Sequence, residues 1–318
     1  MKYYIGIDFG GMSAKAGLFD ERANIIAKDT VKTSKDDSYT TTVAKMGQLV
    51  KKICQDNGIE KNNVVRIGIG SPGVIDGENG IVVMWGNYHW EDKPLAKDLS
   101  EVTGIPVSLT NDANAAAYGE AKFGAGKGSQ DSIFITLGTG VGSGIILGGK
   151  VYEGYRGAGA EAGHMVIVAG GIPCGCGRRG CFEQYASASA LIRDTKKAMF
   201  ENKSSVMWDL CGGDPENADG KTAFAAAKAG DEAGQTVVKN YIMYLGEGIL
   251  NLINIFRPQS IIIGGGVCNE GEYLLAPLRK YVEERLYVGT DRVPFTISRA
   301  KLGNDAGIYG ALALAMEK

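Results

Sequence analysis

YYIGIDFGGMSAKAGLFD, residues 3–20, is an apolar run, a glycine turn and a second apolar run. The pattern reads as a β-hairpin whose turn exposes backbone amides, a shape that cradles phosphate. SIFITLGTGVGSGIILGG, residues 132–149, repeats the pattern of strand, glycine-rich turn and strand. Two copies about 130 residues apart imply two structurally related halves facing each other; two unrelated hairpins are the plainer alternative. No Walker-type GxxxxGK[ST] is present, and neither turn leads from a strand into a helix as a dinucleotide fingerprint requires.

Outward from these hairpins the chain alternates strands and helices. Residues 41–58 carry apolar positions at helical spacing and stop at Gly58. Strands are expected at 64–73, 105–112 and 260–267, and helices at 113–124, from Ala186 to about Phe200, at 231–256 and at 304–318. A polar, glycine-rich break is expected at 211–222. This alternation predicts an α/β protein with partly parallel sheets.

The chain has 318 residues, enough for one large domain or two ordinary ones. A net charge of −2 with dispersed Lys and Arg gives no nucleic-acid footprint. The 47 glycines are roughly twice the usual share and fit repeated tight turns and close backbone approaches to a ligand. The N-terminus lacks an unbroken apolar run, and the longest apolar helix candidate holds Glu247, Asn251 and Asn254, so neither a leader nor a membrane span is expected. Cys54, Cys211 and Cys268 stand singly, which suits a reducing compartment, and the cytoplasm is the expected location.

Three places hold residues suited to chemistry. Asp8 ends a strand beside Gly10 and Gly11; it either holds Mg²⁺ near phosphate or satisfies the amides of its own turn. Asp112, in TNDANAAAYGE, stands where a strand meets a helix; it is either an N-cap or a general base for phosphoryl transfer. GHMVIVAGGIPCGCGRRGC, residues 163–181, gathers Cys174, Cys176 and Cys181 within eight residues, ten after His164. A Cys₃His set favours a closed tetrahedral zinc site, structural rather than catalytic; the alternative is three unrelated thiols. Zinc takes one imidazole nitrogen and leaves the other as a fixed polar contact. Glu161 and Glu183 flank this loop as solvated residues or as acceptors for the hydroxyls of a sugar or polyol.

Taken together these motifs resemble the ROK family (repressors, open reading frames and sugar kinases) within the actin–hexokinase–heat-shock ATPase superfamily. The resemblance spans essentially the whole chain. It rests on IDFGGMSAK (7–15), GSPG (70–73), TNDANAAAYGE (110–120), LGTGVGSGI (137–145), EAGHM (161–165), CGCGRRGCFEQYAS (174–187), IIIGGGV (261–267) and GNDAGIYGA (303–311). It implies a two-domain actin-like ATPase (ribonuclease H-like) fold with an interdomain cleft. The first domain would be residues 1–112 completed by a C-terminal helix at 304–318, and the second would be 113–303 with the zinc loop.

The activity implied is that of an ATP- and Mg²⁺-dependent hexose kinase of the glucokinase type, phosphorylating the sugar 6-hydroxyl. A kinase for an N-acetylated amino sugar or a β-glucoside is the alternative within enzymes, and a non-catalytic sugar-sensing regulator the alternative outside them. Asp112 would be the base, and Asn87, Asn111, Asp112, Glu161, His164 and Glu183 would hold the sugar. Asp8, Gly10, Gly11, Ser13, Lys15, Gly138, Thr139 and Gly140 would serve the nucleotide phosphates, with Gly264, Gly265 and Gly266 bordering the adenosine. His164, Cys174, Cys176 and Cys181 would bind structural Zn²⁺. A homodimer is implied by the same analogy. The sequence departs from the family at Met12, where threonine usually follows the paired glycines. The first strand is expected to start at about Lys2, without room for the helix-turn-helix of the family's repressors.

Overall fold

The computed structural model describes residues 1–317. In chain order it runs β1 (Tyr3–Phe9), β2 (Ser13–Asp20), β3 (Ile25–Lys32), α1 (Tyr39–Asp56), β4 (Val64–Ser71), β5 (Val74–Asp76), β6 (Ile81–Trp85), β7 (Trp90–Lys93), α2 (Leu95–Thr103), β8 (Val107–Asn111) and α3 (Asp112–Phe123). Then come β9 (Ser132–Leu137), β10 (Val141–Leu147), β11 (Lys150–Tyr152), α4 (Glu183–Ala186), α5 (Ala188–Glu201), α6 (Met207–Leu210) and α7 (Thr222–Lys228). The chain closes with α8 (Glu232–Phe256), β12 (Ser260–Gly264), α9 (Glu272–Glu283), β13 (Thr296–Arg299) and α10 (Ala306–Glu317).

The two hairpins do found two sheets of one design. One sheet is ordered β3-β2-β1-β4-β8 and the other β11-β10-β9-β12-β13. In each, the third, second and first strands lie in that order and two later strands follow beyond the first. β1 pairs antiparallel with β2 and parallel with β4, and β4 is parallel to β8. A small third sheet, β5-β6-β7, was not expected; its short strands lie between GSPG and α2, in a stretch too brief to show periodicity.

Two compact units result. The first comprises Met1–Phe134, Gly144–Ala160 and the chain from Ala300; the second comprises Ile135–Ser143 and Glu161–Arg299. By its contacts α3 belongs with the first unit, where it packs against α10.

That packing is backbone on backbone. Gly6 and Gly68 face each other in the β1–β4 register. A Cβ on Gly6 would lie 2.2 Å from the Ile308 carbonyl oxygen, and one on Gly68 only 1.8 Å from that of Ala311. Helix α10 thus lies directly on the strands. Its Gly310 meets α3 as closely, with a Cβ there 1.5 Å from the Ala115 carbonyl oxygen. On the opposite face of β1, Ile5, Ile7 and Phe9 enter a core with Met46, Val50 and Ile53 of α1. Alternation along β1 therefore turns Asp8 to the α10 side with Gly6.

In the second unit α8 starts at the Asp231 cap, whose side chain accepts from the Gly234 amide, and ends at Arg257 in the left-handed conformation. The helix expected from Ala186 to about Phe200 is α5, whose start is set by Ser187 accepting from the Ala190 amide, and the short α4 precedes it.

A methyl group on the strand face under α10 should be poorly tolerated. Gly68→Ala should lose about 2 kcal/mol or more, the scale of overpacking a fitted core. Gly11→Ala, where a Cβ meets nothing within 4 Å, should melt near wild type; equal melting temperatures for the two would show that α10 adjusts freely.

Candidate active site and metal cluster

In the first unit the end of β8 hands over to α3, and the sequence offers two polar residues for the junction. Asn111 takes the capping role: its Oδ1 accepts from the amides of Ala113 and Asn114 at 2.8 and 3.3 Å, and its Nδ2 donates to the Gly73 carbonyl at 3.0 Å. Asp112 is therefore the first helical residue and not the cap. Its Oδ1 accepts from the Ala113 amide at 2.8 Å. Burial pushes its carboxyl above the ordinary range, against the lowering effect of that amide bond.

Asp8 stands close enough to Asp112 to feel its charge. Burial raises the Asp8 carboxyl, its cross-strand partner Lys15 lowers it, and Asp112 raises it further. Its carboxylate packs against the first turn of α10, where a Cβ on Gly307 would come within 2.7 Å of Asp8 Cγ. A pair of partly buried carboxylates near the ends of parallel strands suits a divalent cation and a proton acceptor. The turn at residues 10–13 closes with the Gly10 amide donating to the Ser13 carbonyl at 2.9 Å, and Met12 is 83% exposed. Asn87 is exposed in the short helical turn Gly86–Tyr88. Glu153, which sequence reading missed, accepts a hydrogen bond from the Thr110 hydroxyl, one residue before Asn111. No local pattern announces a carboxylate 43 residues away.

In the second unit the ligand atoms of His164, Cys174, Cys176 and Cys181 all lie within 4.8 Å of one another. Cys176 Sγ is 3.6 Å from Cys181 Sγ, and Cys174 Sγ is 3.7 Å from His164 Nδ1. Tetrahedral zinc with bonds of about 2.3 Å to sulfur and about 2.0 Å to nitrogen separates its ligands by about 3.5–3.8 Å. The set fits that ion in identity and spacing. Burial pushes the Cys174 thiol up to about 12, while the backbone amide of Arg178 lowers Cys176. Thiols so close ionise together only around a cation. With Nδ1 turned to the cysteines, His164 keeps Nε2 for another partner.

Glu183 ties this cluster to the second glycine turn. Its Oε1 lies 3.1 Å from Cys174 Sγ and 3.7 Å from His164 Nδ1, and a Cβ on Gly140 would come within 2.6 Å of its Oε2. Glu161 is exposed, three residues before His164, whose amide donates to the Glu161 carbonyl at 3.0 Å. Beside this turn a pocket of about 310 Å³ opens among Gly138, Thr139, Ala188, Lys221, Gly266 and Asn269. Gly265, with φ +85°, brings its chain to within 2.3 Å of the Leu137 carbonyl oxygen, measured from a Cβ built on it. Gly264 ends β12 just before. Lys221 was not foreseen, because it sits in the stretch that reads only as a polar break. A larger cavity of about 720 Å³ between α8 and α9 is lined by none of the candidate residues. No helix among the described residues is long and apolar enough to cross a membrane.

Comparison with known proteins agrees with this geometry. The chain is 38% identical over 315 residues to a glucokinase of Streptomyces coelicolor, covering 98% of this chain and 97% of the relative. It is 37% identical over 318 residues to a glucokinase of Thermotoga maritima, covering 99% and 97%. The crystal structure of a ROK family glucokinase from Streptomyces griseus in complex with glucose and AMPPNP superposes with a TM-score of 0.79 at 37% identity, covering 99% of this chain and all of that one. The shared architecture is the mixed α/β, actin-like ATPase fold that the two sheets express. Residues 4–318 match the ROK family, and the chain belongs to it.

Proposed function

We propose that the protein is an ATP-dependent glucokinase that transfers the γ-phosphate of ATP to the 6-hydroxyl of glucose. The observation that carries this reading is Asp112, a partly buried, desolvated carboxylate released from capping duty by Asn111. Likeness to glucokinases over nearly the whole chain supports it. Asp112 accepts the proton of the 6-hydroxyl as that oxygen attacks phosphorus, and a base with a raised pKa suits a proton transfer near neutral pH.

Asn87, Glu161, His164 and Glu183 hold the other hydroxyls. Asn111 joins them only through the second hydrogen of its amide, since the cap and Gly73 occupy the rest. The turn at residues 10–13 with Ser13 and Lys15, and Gly138, Thr139 and Gly140, receive the phosphates. Gly264, Gly265 and Gly266 border the adenosine, and Lys221 adds a cation in the same pocket. Asp8 holds Mg²⁺, directly or through water; the ion supplies charge neutralisation for the phosphates. His164, Cys174, Cys176 and Cys181 hold a structural Zn²⁺, which fixes the loop that presents Glu161 and Glu183. Those thiols must stay reduced, which agrees with the cytoplasm. The homodimer implied by the family resemblance belongs to the same proposal, and sedimentation equilibrium checks it.

The decisive assay is a coupled ATP-consumption measurement over a sugar panel. Glucose should give the highest kcat/KM; preference for an N-acetylated amino sugar or a β-glucoside would move the enzyme elsewhere in the family, and no turnover with any sugar would leave a sensor. Asp112→Asn should lower kcat at least about 10²-fold with sugar binding retained. The same variant should be the more stable protein at neutral pH. A carboxyl whose folded pKa is raised favours folding while protonated, below its unfolded pKa of 3.8, and that advantage is lost as pH rises through the folded pKa. The neutral amide of the variant mimics the protonated carboxyl at every pH. The gap in melting temperature should therefore shrink toward zero as the pH falls to the unfolded carboxyl pKa, and a gap independent of pH would contradict the burial argument.

Cys176→Ser should lose metal, melt lower, and raise KM for glucose far more than KM for ATP. Elemental analysis of wild type should find about one zinc per chain. A metal-free preparation with full activity would remove zinc from this account.

A further inference from the structure

The first glycine turn is anchored by groups that neither the sequence motifs nor the kinase reading employ. Tyr88 is 4% exposed, and its ring stacks on Trp85 with centroids 4.0 Å apart and planes at 16°. Phe9 and Trp90 close around it edge-on, at 5.8 and 5.3 Å. The ring is immobile, so its hydroxyl is delivered to one place. There it lies 3.2 Å from the Gly11 carbonyl oxygen and 3.0 Å from Thr33 Oγ1. A phenol has one proton, so the consistent arrangement is a relay: the Thr33 hydroxyl donates to Tyr88, and Tyr88 donates to Gly11. The Thr33 amide also donates to the Met12 carbonyl at 3.1 Å.

Two successive carbonyls of the turn are thus pulled toward the protein. In a trans peptide the N–H points opposite to the C=O. Holding the Gly11 carbonyl on Tyr88 therefore turns the Met12 amide the other way. That amide donates to no other backbone group among the described residues.

We propose that Tyr88 is a positioning residue for the phosphate donor: its hydroxyl fixes the Gly11–Met12 peptide so that the Met12 N–H faces the nucleotide phosphates. This rests on the reading of residues 10–13 as a phosphate turn. The aromatic stack sets the height of the hydroxyl, and Thr33 sets its direction. Without that bond the peptide is free to rotate, and a part of ATP binding goes into ordering it.

Tyr88→Phe keeps the ring and the stack and removes only the hydroxyl. KM for ATP and the dissociation constant for Mg·ATP by calorimetry should both rise about fivefold, the scale of one net hydrogen bond. KM for glucose and the melting temperature should stay at wild-type values. Thr33→Val should move the ATP constants in the same direction, and Thr33→Ser, which keeps the hydroxyl, should restore them. Unchanged ATP constants in Tyr88→Phe would overturn the proposal. So would an equal rise in both substrate constants with a lower melting temperature, since that marks a general packing role. The calorimetric arm separates this proposal from the kinase reading. Wild type that binds Mg·ATP without phosphorylating glucose sinks the glucokinase assignment and leaves the Tyr88 comparison intact.

Discussion

The contact of α10 with bare backbone at Gly6 and Gly68 determines how Asp8 and Asp112 are placed in the first unit. A helix laid on side chains stands about 10 Å from a sheet; here the carbonyls of Ile308 and Ala311 would collide with a single methyl on the strands. Asp8 shares that strand face and is drawn against the first turn of α10. Gly310 then lets α3 approach α10 as closely, which carries Asp112 into burial on the same side. Two carboxylates raised by desolvation are the consequence, and close packing is its cause. Holding charge away from water costs stability, and perturbed carboxyls of this kind suit the roles proposed for Asp8 and Asp112.

The division of labour at the β8–α3 junction has the same economy. A helix start needs an acceptor for its first amides, and an aspartate is a good one. Because Asn111 performs that task, Asp112 does not cap the helix, although its carboxylate still accepts from the adjacent Ala113 amide. Desolvation outweighs the hydrogen bonds that favour its ionised form, Asn111's among them, so the Asp112 carboxyl stays above the ordinary range. In the second unit Glu183 is placed differently. It opens α4, and one oxygen meets the cysteine–histidine cluster while the other meets the Gly140 turn. One side chain thereby couples the geometry of the cysteine loop to that of a glycine turn.

The parts legible in the sequence were those whose signal is local. Both hairpins, their glycine turns and the Cys₃His set are spelled out within short stretches, and the structure assembles each from those residues. The strand–helix alternation was read with boundaries shifted by a few residues, as at α1 and β12. What escaped reading is non-local. The bond from Thr110 to Glu153, the place of Lys221 beside Gly138, and the hydroxyl of Tyr88 on Gly11 each join segments that no periodicity links. The extent of the first unit is non-local in the same way. Helix α3 follows β8 with no linker signal, and its close glycine contact with a helix nearly 200 residues later ties it to the first unit.

Met12 shows how backbone geometry absorbs a departure from a sequence pattern. A threonine there would offer a hydroxyl to the turn, and methionine cannot. Yet the side chain at this position is 83% exposed, so it does not shape the turn from within. Shape comes from the Gly10–Ser13 bond and from the two carbonyls held by Tyr88 and Thr33. A turn fixed by its carbonyls presents its amides whatever side chain it carries, because amide and carbonyl belong to one rigid plane. In the proposed kinase, phosphate recognition by these amides would then depend less on the side chain of residue 12 than on a tyrosine 76 positions away. The residue that breaks the pattern matters less to this turn than one that no pattern contains.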